Sequence, residues 1–261
     1  MLENTARAGK VTRTEIDGDI ATVVFNRPEK RNAMNDALIA ELDAFFSSPP
    51  EGVNAVILRG EGGHFCAGLD LAEHEHRDPV AGVYHSRNWH RVADQIEFGG
   101  LPVISVLTGA VIGGGLEIAS CTHVRIAEPS ARFQLPEGRR GIFVGGGATV
   151  RVGRLIGADR MREMMLTGRN YGAEDALRLG LAHYSVGDGE GMALAKTLAR
   201  QVADNAPFSN YLMINSISRI NDMSRSDGLF TESLAAAMSQ TSDGAREGMR
   251  AFLEKREPRF R

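Results

Sequence analysis

The sequence predicts an α/β protein, with a layered core over residues 1–200 and a helical C-terminal region over residues 201–261. Over the first two thirds of the 261-residue chain, short runs of β-branched and apolar residues alternate with segments of helical spacing. After about residue 158, nearly every segment has a helical pattern. No Ser/Gly-rich linker separates the two regions, so we expect them to pack together.

The strands and the first helix follow from local pattern. DIATVVFNRP (19–28) predicts a strand that ends at Pro28, and NDALIAELDAFF (35–46) predicts a helix capped by Asn35 or Asp36. Three further runs are apolar throughout, as expected for strands covered on both faces: VNAVILRG (53–60), LPVISVLTG (101–109) and the shorter HVRIAE (123–128).

The last hundred residues are predicted to be helical apart from one weak strand, AHYSV (182–186). Pro207 marks a plausible joint between the core and the last helices. The predicted helices are DRMREMMLTG (159–168), AEDALRLG (173–180), GMALAKTLARQVADNA (191–206), YLMINSISRINDM (211–223), LFTESLAAAMSQ (229–240) and DGAREGMRAFLEKR (243–256).

Composition narrows the class of function. The chain is 43% hydrophobic and 24% charged, with a net charge of -3, so nothing suggests nucleic-acid binding. Two cysteines, Cys66 and Cys121, are too few for a disulfide framework and indicate a reducing compartment. No secretory signal and no membrane-spanning run of about 20 apolar residues is visible, so we expect a cytoplasmic protein.

GAVIGGGLEIAS (109–120) places three glycines and a carboxylate within an apolar run. It lacks the lysine of a phosphate-binding P-loop, and Ile118 breaks the dinucleotide-binding pattern. The chain also lacks GxSxG and HExxH, so markers of acyl-enzyme and zinc chemistry are missing. What remains is a strand running through glycines into a helix that starts near Leu116, whose outward N–H groups suit a developing oxyanion.

Two glutamates accompany this loop. Glu117 directly follows the glycines, and Glu137 lies 20 residues later in FQLPEG, far enough for a turn, a strand and a return. HFCAGLDL (64–71) is a second turn of small residues able to supply an N–H group to the same oxygen. A pair of glutamates beside an oxyanion hole suits proton removal and delivery next to a thioester carbonyl.

Five segments, in order and over nearly the whole chain, resemble the enoyl-CoA hydratase/isomerase (crotonase) superfamily: NRPEKRNAM, HFCAGLDL, GAVIGGGLEIAS, FQLPEG and FLEKREPRF. The resemblance implies a crotonase-like spiral of repeated ββα units with a C-terminal helical trimerisation region, assembled as a homotrimer or hexamer. It implies an acyl-CoA thioester substrate and no metal or redox cofactor, coenzyme A being part of the substrate.

The resemblance also implies roles for individual residues. The backbone N–H groups of Leu69 and Gly114 match the oxyanion hole, and Glu117 and Glu137 both fall on the hydratase positions, whereas isomerases keep only one. Glu117 would deprotonate the water, and Glu137 would deliver a proton to the α-carbon. The residues matched to coenzyme A binding are Arg27, Lys30, Arg31, Ala67, Gly68, Asp70, Leu71 and, from a neighbouring subunit, Lys255.

Two departures from the family and several plainer interpretations stay open. His123 stands where the family usually has an aspartate, and Val144 lies near a usual proline. Taken alone, Glu117 could be an ordinary first-turn helical carboxylate, and Glu137 a structural partner of Arg139 or Arg140. Five histidines lie within 27 residues without metal-ligand spacing, so a metal site is disfavoured: His64, His74, His76, His85 and His90.

The acyl pocket is expected within residues 72–100, where Tyr84 and Trp89 are five residues apart on a predicted helix. Flat amphipathic rings suit a bulky or aromatic acyl group, although rings that simply face the sheet are the commoner case. The sequence-based hypothesis is therefore an enoyl-CoA hydratase. The alternatives are another crotonase-type reaction, such as isomerisation or hydratase-lyase chemistry, and a non-catalytic CoA-binding scaffold.

Overall fold

The computed structural model describes residues 6–8, 10–72 and 78–260. Its strands in chain order are β1 (Ala6–Ala8), β2 (Thr12–Asp17), β3 (Ile20–Phe25), β4 (Ala55–Gly60), β5 (Val103–Leu107), β6 (Ala110–Ile112), β7 (Val124–Ala127), β8 (Arg132–Gln134) and β9 (Tyr184–Ser185). Its helices are α1 (Asp36–Ser47), α2 (Pro79–Phe98), α3 (Gly114–Ala119), α4 (Ala148–Ile156), α5 (Ala158–Thr167), α6 (Ala173–Leu179), α7 (Gly191–Ala203), α8 (Pro207–Asn221), α9 (Arg225–Gln240) and α10 (Asp243–Glu254).

The larger sheet follows the order β1-β2-β3-β4-β5-β7-β9. β1, β2 and β3 are antiparallel neighbours, whereas β3, β4, β5, β7 and β9 run parallel. Each parallel strand lies beside the next along the chain, so the sheet grows in one direction. Parallel neighbours need a crossover, which α1, α2 and α3 supply in turn.

A second, smaller sheet has two strands, β6 and β8. β6 pairs in parallel with β8, and an isolated bridge joins Cys66 to Val111 of β6. The chain therefore repeats one order of elements: a strand of the large sheet, a short strand of the small sheet, then a helix. The clearest example is β5, β6 and α3. This repetition is the predicted spiral of ββα units.

Both faces of the large sheet are covered, which explains its apolar strands. In β4, Val56 and Leu58 belong to the core that α1 and α2 share, whereas Ala55 and Ile57 belong to the core beneath α7. Successive side chains of a strand point to opposite faces, so a strand between two helical layers is apolar at every position.

Most predicted elements are present, with local corrections. The β2–β3 hairpin and α4 were not predicted, and α3 begins at Gly114 rather than near Leu116. The proposed division between residues 200 and 201 falls inside α7, which packs on the sheet. Across the described residues, we find no helix with the length and apolar character needed to cross a membrane.

Candidate active site

The catalytic residues predicted from sequence meet at one cavity of about 890 Å³. Its walls come from five segments: the turn after β3, the loop after β4, one face of α2, the chain from Ile112 to Glu117, and the chain from Gln134 to Gly146. The lining includes Arg31, Ala67, Gly68, Leu69, Leu71, His85, Ser86, Trp89, Ile112, Gly113, Gly114, Glu117, Pro136, Glu137, Arg139, Arg140, Ile142, Phe143 and Val144.

Glu117 is buried on α3, where only 4% of its surface is exposed. Its Oε1 accepts hydrogen bonds from the backbone N–H groups of Gly146, at 2.7 Å, and Ala148, at 3.1 Å. Ala148 is the first residue of α4, so the carboxylate occupies the N-terminal end of that helix. Glu117 is therefore more than a first-turn carboxylate of its own helix: it joins α3 to α4.

Each glycine of the GGG sequence makes room for a different neighbour. A Cβ on Gly113 would lie 2.8 Å from Glu137 Oε1, and Gly113 also has a φ of 53°, which favours glycine. A Cβ on Gly114 would lie 3.0 Å from the Trp89 ring, and one on Gly115 would overlap the Cys66 carbonyl. The three glycines thus let the chain approach the second glutamate, the indole and the neighbouring loop.

The two residues predicted to supply the oxyanion hole, Leu69 and Gly114, lie close together at the cavity. The bridge between Met34 and Leu69 uses the Gly68 carbonyl and the Asp70 N–H, which leaves the Leu69 N–H outside this pairing. Gly114 is the first residue of α3, before the first intrahelical hydrogen bond. A Cβ on Gly114 would lie 3.8 Å from the Leu69 nitrogen, so the two residues are neighbours at the cavity wall.

Glu137 begins a short 3-10 helix, Glu137–Arg140, and is 7% exposed. Its Oε2 is buried and makes no hydrogen bond to any described residue. Arg139 instead donates to the Thr167 carbonyl at 2.9 Å. The alternative in which Glu137 is held in an ion pair with Arg139 or Arg140 is therefore not realised.

The two carboxyl groups titrate under different influences. Burial raises the pKa of Glu117, while the N–H groups of Ala148 and Gly146 and the charge of Arg151 oppose that rise. Burial and, as a smaller effect, the nearby Glu117 charge together raise the pKa of Glu137 to about 7. Glu117 therefore has more backbone donors to stabilise its anion than Glu137 has, and the ionisation of each group affects the other.

The residues matched to coenzyme A binding divide into two groups. Arg31, Ala67, Gly68 and Leu71 line the cavity. Arg27 and Asp70 do not: they form a buried ion pair at 2.9 Å, and Arg27 also donates to the Ala33 carbonyl. A direct contact of Arg27 or Asp70 with a phosphate is unsupported by this placement, because each charge is already paired within the fold.

Lys30 and Lys255 are exposed and lie outside the cavity lining. Lys255 ends α10, so its predicted contact depends on a neighbouring subunit. The two aromatic residues of the predicted acyl pocket separate as well. Trp89 is buried against the catalytic glycines, whereas Tyr84 is 73% exposed on α2 and is not among the lining residues. Tyr84 therefore does not form the acyl wall in this chain.

The structure gives one of the two departures from the family pattern a clear role. His123 Nδ1 accepts from the Val103 N–H at 2.9 Å, so its protonated Nε2 donates to the Glu97 carbonyl, 3.0 Å away. This ring joins the end of α2 to the start of β5, and burial lowers its pKa. Val144 lines the cavity.

Of the five clustered histidines, His74 and His76 lie outside the described residues. No group of three or more His, Cys, Asp or Glu side chains suitable for a metal is found among residues 10–72 and 78–260. His64 has a structural contact, since its Nδ1 accepts from the Ala110 N–H at 3.0 Å.

Sequence reasoning missed the donors to Glu117 and the residue behind them. Gly146 and Ala148 lie 29 and 31 residues after Glu117, and Arg151 contacts the same loop from α4. The only local pattern that could have indicated these residues is the glycine run followed by an arginine in GGGATVR. Nothing in that pattern predicts a contact with Glu117.

Comparison with known proteins agrees with this geometry. The family model described as enoyl-CoA hydratase/isomerase matches residues 15–261. The chain is 34% identical to the short-chain-enoyl-CoA hydratase of Clostridium acetobutylicum, over 93% of this chain and 94% of that protein. It is 30% identical to enoyl-CoA hydratase EchA19 of Mycobacterium tuberculosis, over 98% of each.

Solved structures give the same result. A Rhodopseudomonas palustris protein provisionally named an enoyl-CoA hydratase superposes with a TM-score of 0.92 at 44% identity, covering 96% of this chain and 97% of that one. An enoyl-CoA hydratase of Bacillus anthracis superposes with a TM-score of 0.90 at 29% identity, covering 96% and 99%. This chain is an enzyme of the enoyl-CoA hydratase/isomerase family.

Proposed function

We propose that this enzyme reversibly adds water across the 2,3 double bond of a 2-enoyl-CoA thioester. One observation carries the proposal: two buried glutamates line the same cavity in different surroundings, because Glu117 accepts two backbone N–H groups whereas Glu137 Oε2 has no hydrogen-bond partner among the described residues. Hydration needs a base for water and an acid for the α-carbon, and two carboxyl groups in different surroundings can supply both.

In the proposed reaction, ionised Glu117 removes a proton from water as its oxygen bonds to C3. The π electrons shift onto C2 and the thioester carbonyl, whose negative oxygen is stabilised by the Leu69 and Gly114 N–H groups. Glu137 then gives its proton to C2. The product is a 3-hydroxyacyl-CoA, and the proton gained by Glu117 returns to Glu137 through solvent to complete the cycle.

The substrate is expected to enter between Arg31 and the chain after β4, with its acyl group against Trp89. Arg31 is exposed at the cavity and would bind a phosphate of coenzyme A, while Ala67 to Leu71 would supply backbone groups for the adenine end. The indole and Phe143 give the acyl side an aromatic wall, which supports a bulky or aromatic acyl group. We propose no cofactor beyond the coenzyme A of the substrate.

We also propose that the chain assembles as a homotrimer or hexamer in the cytoplasm. Large apolar side chains on the last three helices are exposed in the single chain, among them Ile217, Phe230, Leu234, Phe252 and Leu253. Light scattering after gel filtration should give three or six times the 28.2 kDa chain mass. A monomer at micromolar concentration would overturn the assembly, and cell fractionation tests the location.

Product mass tests the reaction directly. Incubation with crotonyl-CoA should reduce the enoyl-thioester absorbance and yield a product heavier by one water. An unchanged mass with a moved double bond would favour an isomerase, and cleavage to a shorter thioester would favour a hydratase-lyase. Binding without reaction across several acyl chains would favour a scaffold, against which the intact glutamate pair argues.

A further inference from the structure

The loop that donates to Glu117, residues 146–148, is contacted on its other side by Arg151. Arg151, on α4, is a buried side chain with 10% of its surface exposed. Its Nε donates to Glu97, and its Nη2 donates to Asp94 at 2.7 Å, so two carboxylates of α2 fix the guanidinium plane. The third nitrogen is then free to face the chain before α4.

That third nitrogen reaches the glycine loop. Arg151 Nη1 lies 3.4 Å from the Gly146 carbonyl oxygen. A Cβ on Gly147 would overlap Arg151 Nη1. Gly146 is therefore held on both sides: its N–H donates to Glu117 Oε1, while its carbonyl faces Arg151. The contacts form a continuous path from α2 through Arg151 and Gly146 to Glu117.

The charges around this path are few. Glu117 faces Arg151 from α4 and Glu137 from the 3-10 helix, and the Cys121 thiol donates to the Glu117 carbonyl at 3.2 Å. Arg151 faces Glu97, Asp94 and His90 of α2. The positive charge of Arg151 lowers the pKa of Glu117 against the effect of burial.

We propose that Arg151 is a positioning residue for hydration: it orients the Gly146–Ala148 loop and keeps Glu117 in its water-activating form. The inference rests on the proposed function, since it assigns Glu117 the role of base. Arg151 does not line the cavity and touches no reacting atom, so its effect is transmitted through Glu117. A misplaced base loses rate without losing substrate affinity.

The test uses three variants of the full-length enzyme with crotonyl-CoA. Arg151→Gln should lower kcat by up to about 100-fold, leave KM within about threefold, and move the acidic limb of the pH–rate profile to higher pH. Arg151→Lys keeps the charge but not the planar fork, so it should retain the acidic limb and recover part of kcat. Arg154→Gln is the matched control, because Arg154 lies on the same helix in an exposed pair with Asp222; it should behave as wild type.

An Arg151→Gln enzyme with wild-type kcat and an unshifted profile would overturn the inference. So would a loss of kcat that only follows a loss of folded protein, measured by thermal unfolding, with the profile unchanged. These results would leave the hydratase assignment intact.

A second readout does not depend on turnover. Carboxylate infrared bands are recorded across pH in a Glu137→Gln background, with and without Glu117→Gln, so that the difference reports the ionisation of Glu117 alone. Its midpoint should move to higher pH in Arg151→Gln and stay near wild type in Arg154→Gln. If this shift occurs but wild type hydrates no enoyl-CoA, the contact of Arg151 with Glu117 stands and the proposed function fails; an unmoved midpoint overturns the positioning role.

Discussion

Replacing Gly146 by alanine should damage catalysis through one atom. The added Cβ would lie 2.7 Å from Glu117 Oε2 and 3.0 Å from Trp89 Cε3. An ordinary carbon–oxygen contact is about 3.4 Å, so the carboxylate must retreat by roughly 0.7 Å. Since a 1 Å misplacement can cost about 100-fold in rate, we expect kcat to fall by about 10- to 100-fold. The backbone at Gly146 needs no left-handed conformation, so the fold should tolerate alanine.

Gly145→Ala is the matched control for this change. A Cβ there would lie 3.7 Å from Ser86 Oγ, which is an ordinary contact, and Gly145 borders the same cavity. Steady-state kinetics with crotonyl-CoA should give kcat within about threefold of wild type for Gly145→Ala. Thermal unfolding checks that both variants are folded. Equal kcat values for the two alanine variants would refute the argument that Gly146 is required by the position of Glu117.

Three further predictions follow from the site. The pKa of Glu137 is about 7 in the folded protein against an ordinary 4.5, so its ionisation destabilises the fold as pH rises through this range. In chemical denaturation, the free energy of unfolding of Glu137→Gln relative to wild type should therefore be up to about 3 kcal/mol higher at pH 8 than at pH 4. A difference that does not change with pH would contradict this. Trp89→Phe should change the ratio of the kcat/KM values for cinnamoyl-CoA and crotonyl-CoA by about tenfold or more, while Tyr84→Ala should leave this ratio unchanged. A ratio that changes in Tyr84→Ala but not in Trp89→Phe would place the acyl pocket on the outer face of α2. Arg27→Met should lower the free energy of unfolding by about 3 to 5 kcal/mol, because it removes the ion-pair partner of the buried Asp70 carboxylate. Arg31→Met should instead raise KM without changing Tm. A raised KM in Arg27→Met, with a lowered stability in Arg31→Met, would assign the phosphate contact to Arg27.

The elements that sequence predicted well are those whose local pattern has one physical explanation. VNAVILRG and LPVISVLTG are apolar at successive positions because helices cover both faces of β4 and β5. Asn35 was a predicted cap, and its side chain accepts from the Leu38 N–H at 3.0 Å. In each case, the residues that decide the structure are neighbours in the chain.

The site was harder to predict because its decisive contacts are distant in sequence. α4 was missed because its start is fixed by Glu117, about thirty residues earlier, and no side chain of its own caps it. Arg27 was matched to coenzyme A binding, but it pairs with Asp70, which is 43 residues away in the sequence. Tyr84 and Trp89 were known to diverge around a helix, and only tertiary packing decides which of the two faces the glycines.

The most direct test of the central claim is the hydration rate of crotonyl-CoA by wild type, Glu117→Gln, Glu137→Gln and the double variant. Glu128→Gln is the control, because Glu128 is a buried glutamate that accepts from the Gly191 N–H at the start of α7 and lies outside the cavity lining. If the two carboxyl groups act as one acid–base unit, each single change should lower kcat by about 10² to 10⁴, and the double variant should be scarcely slower than the slower single one. Glu128→Gln should retain wild-type kcat. Wild-type turnover in either active-site variant, or losses that multiply in the double variant, would contradict the account.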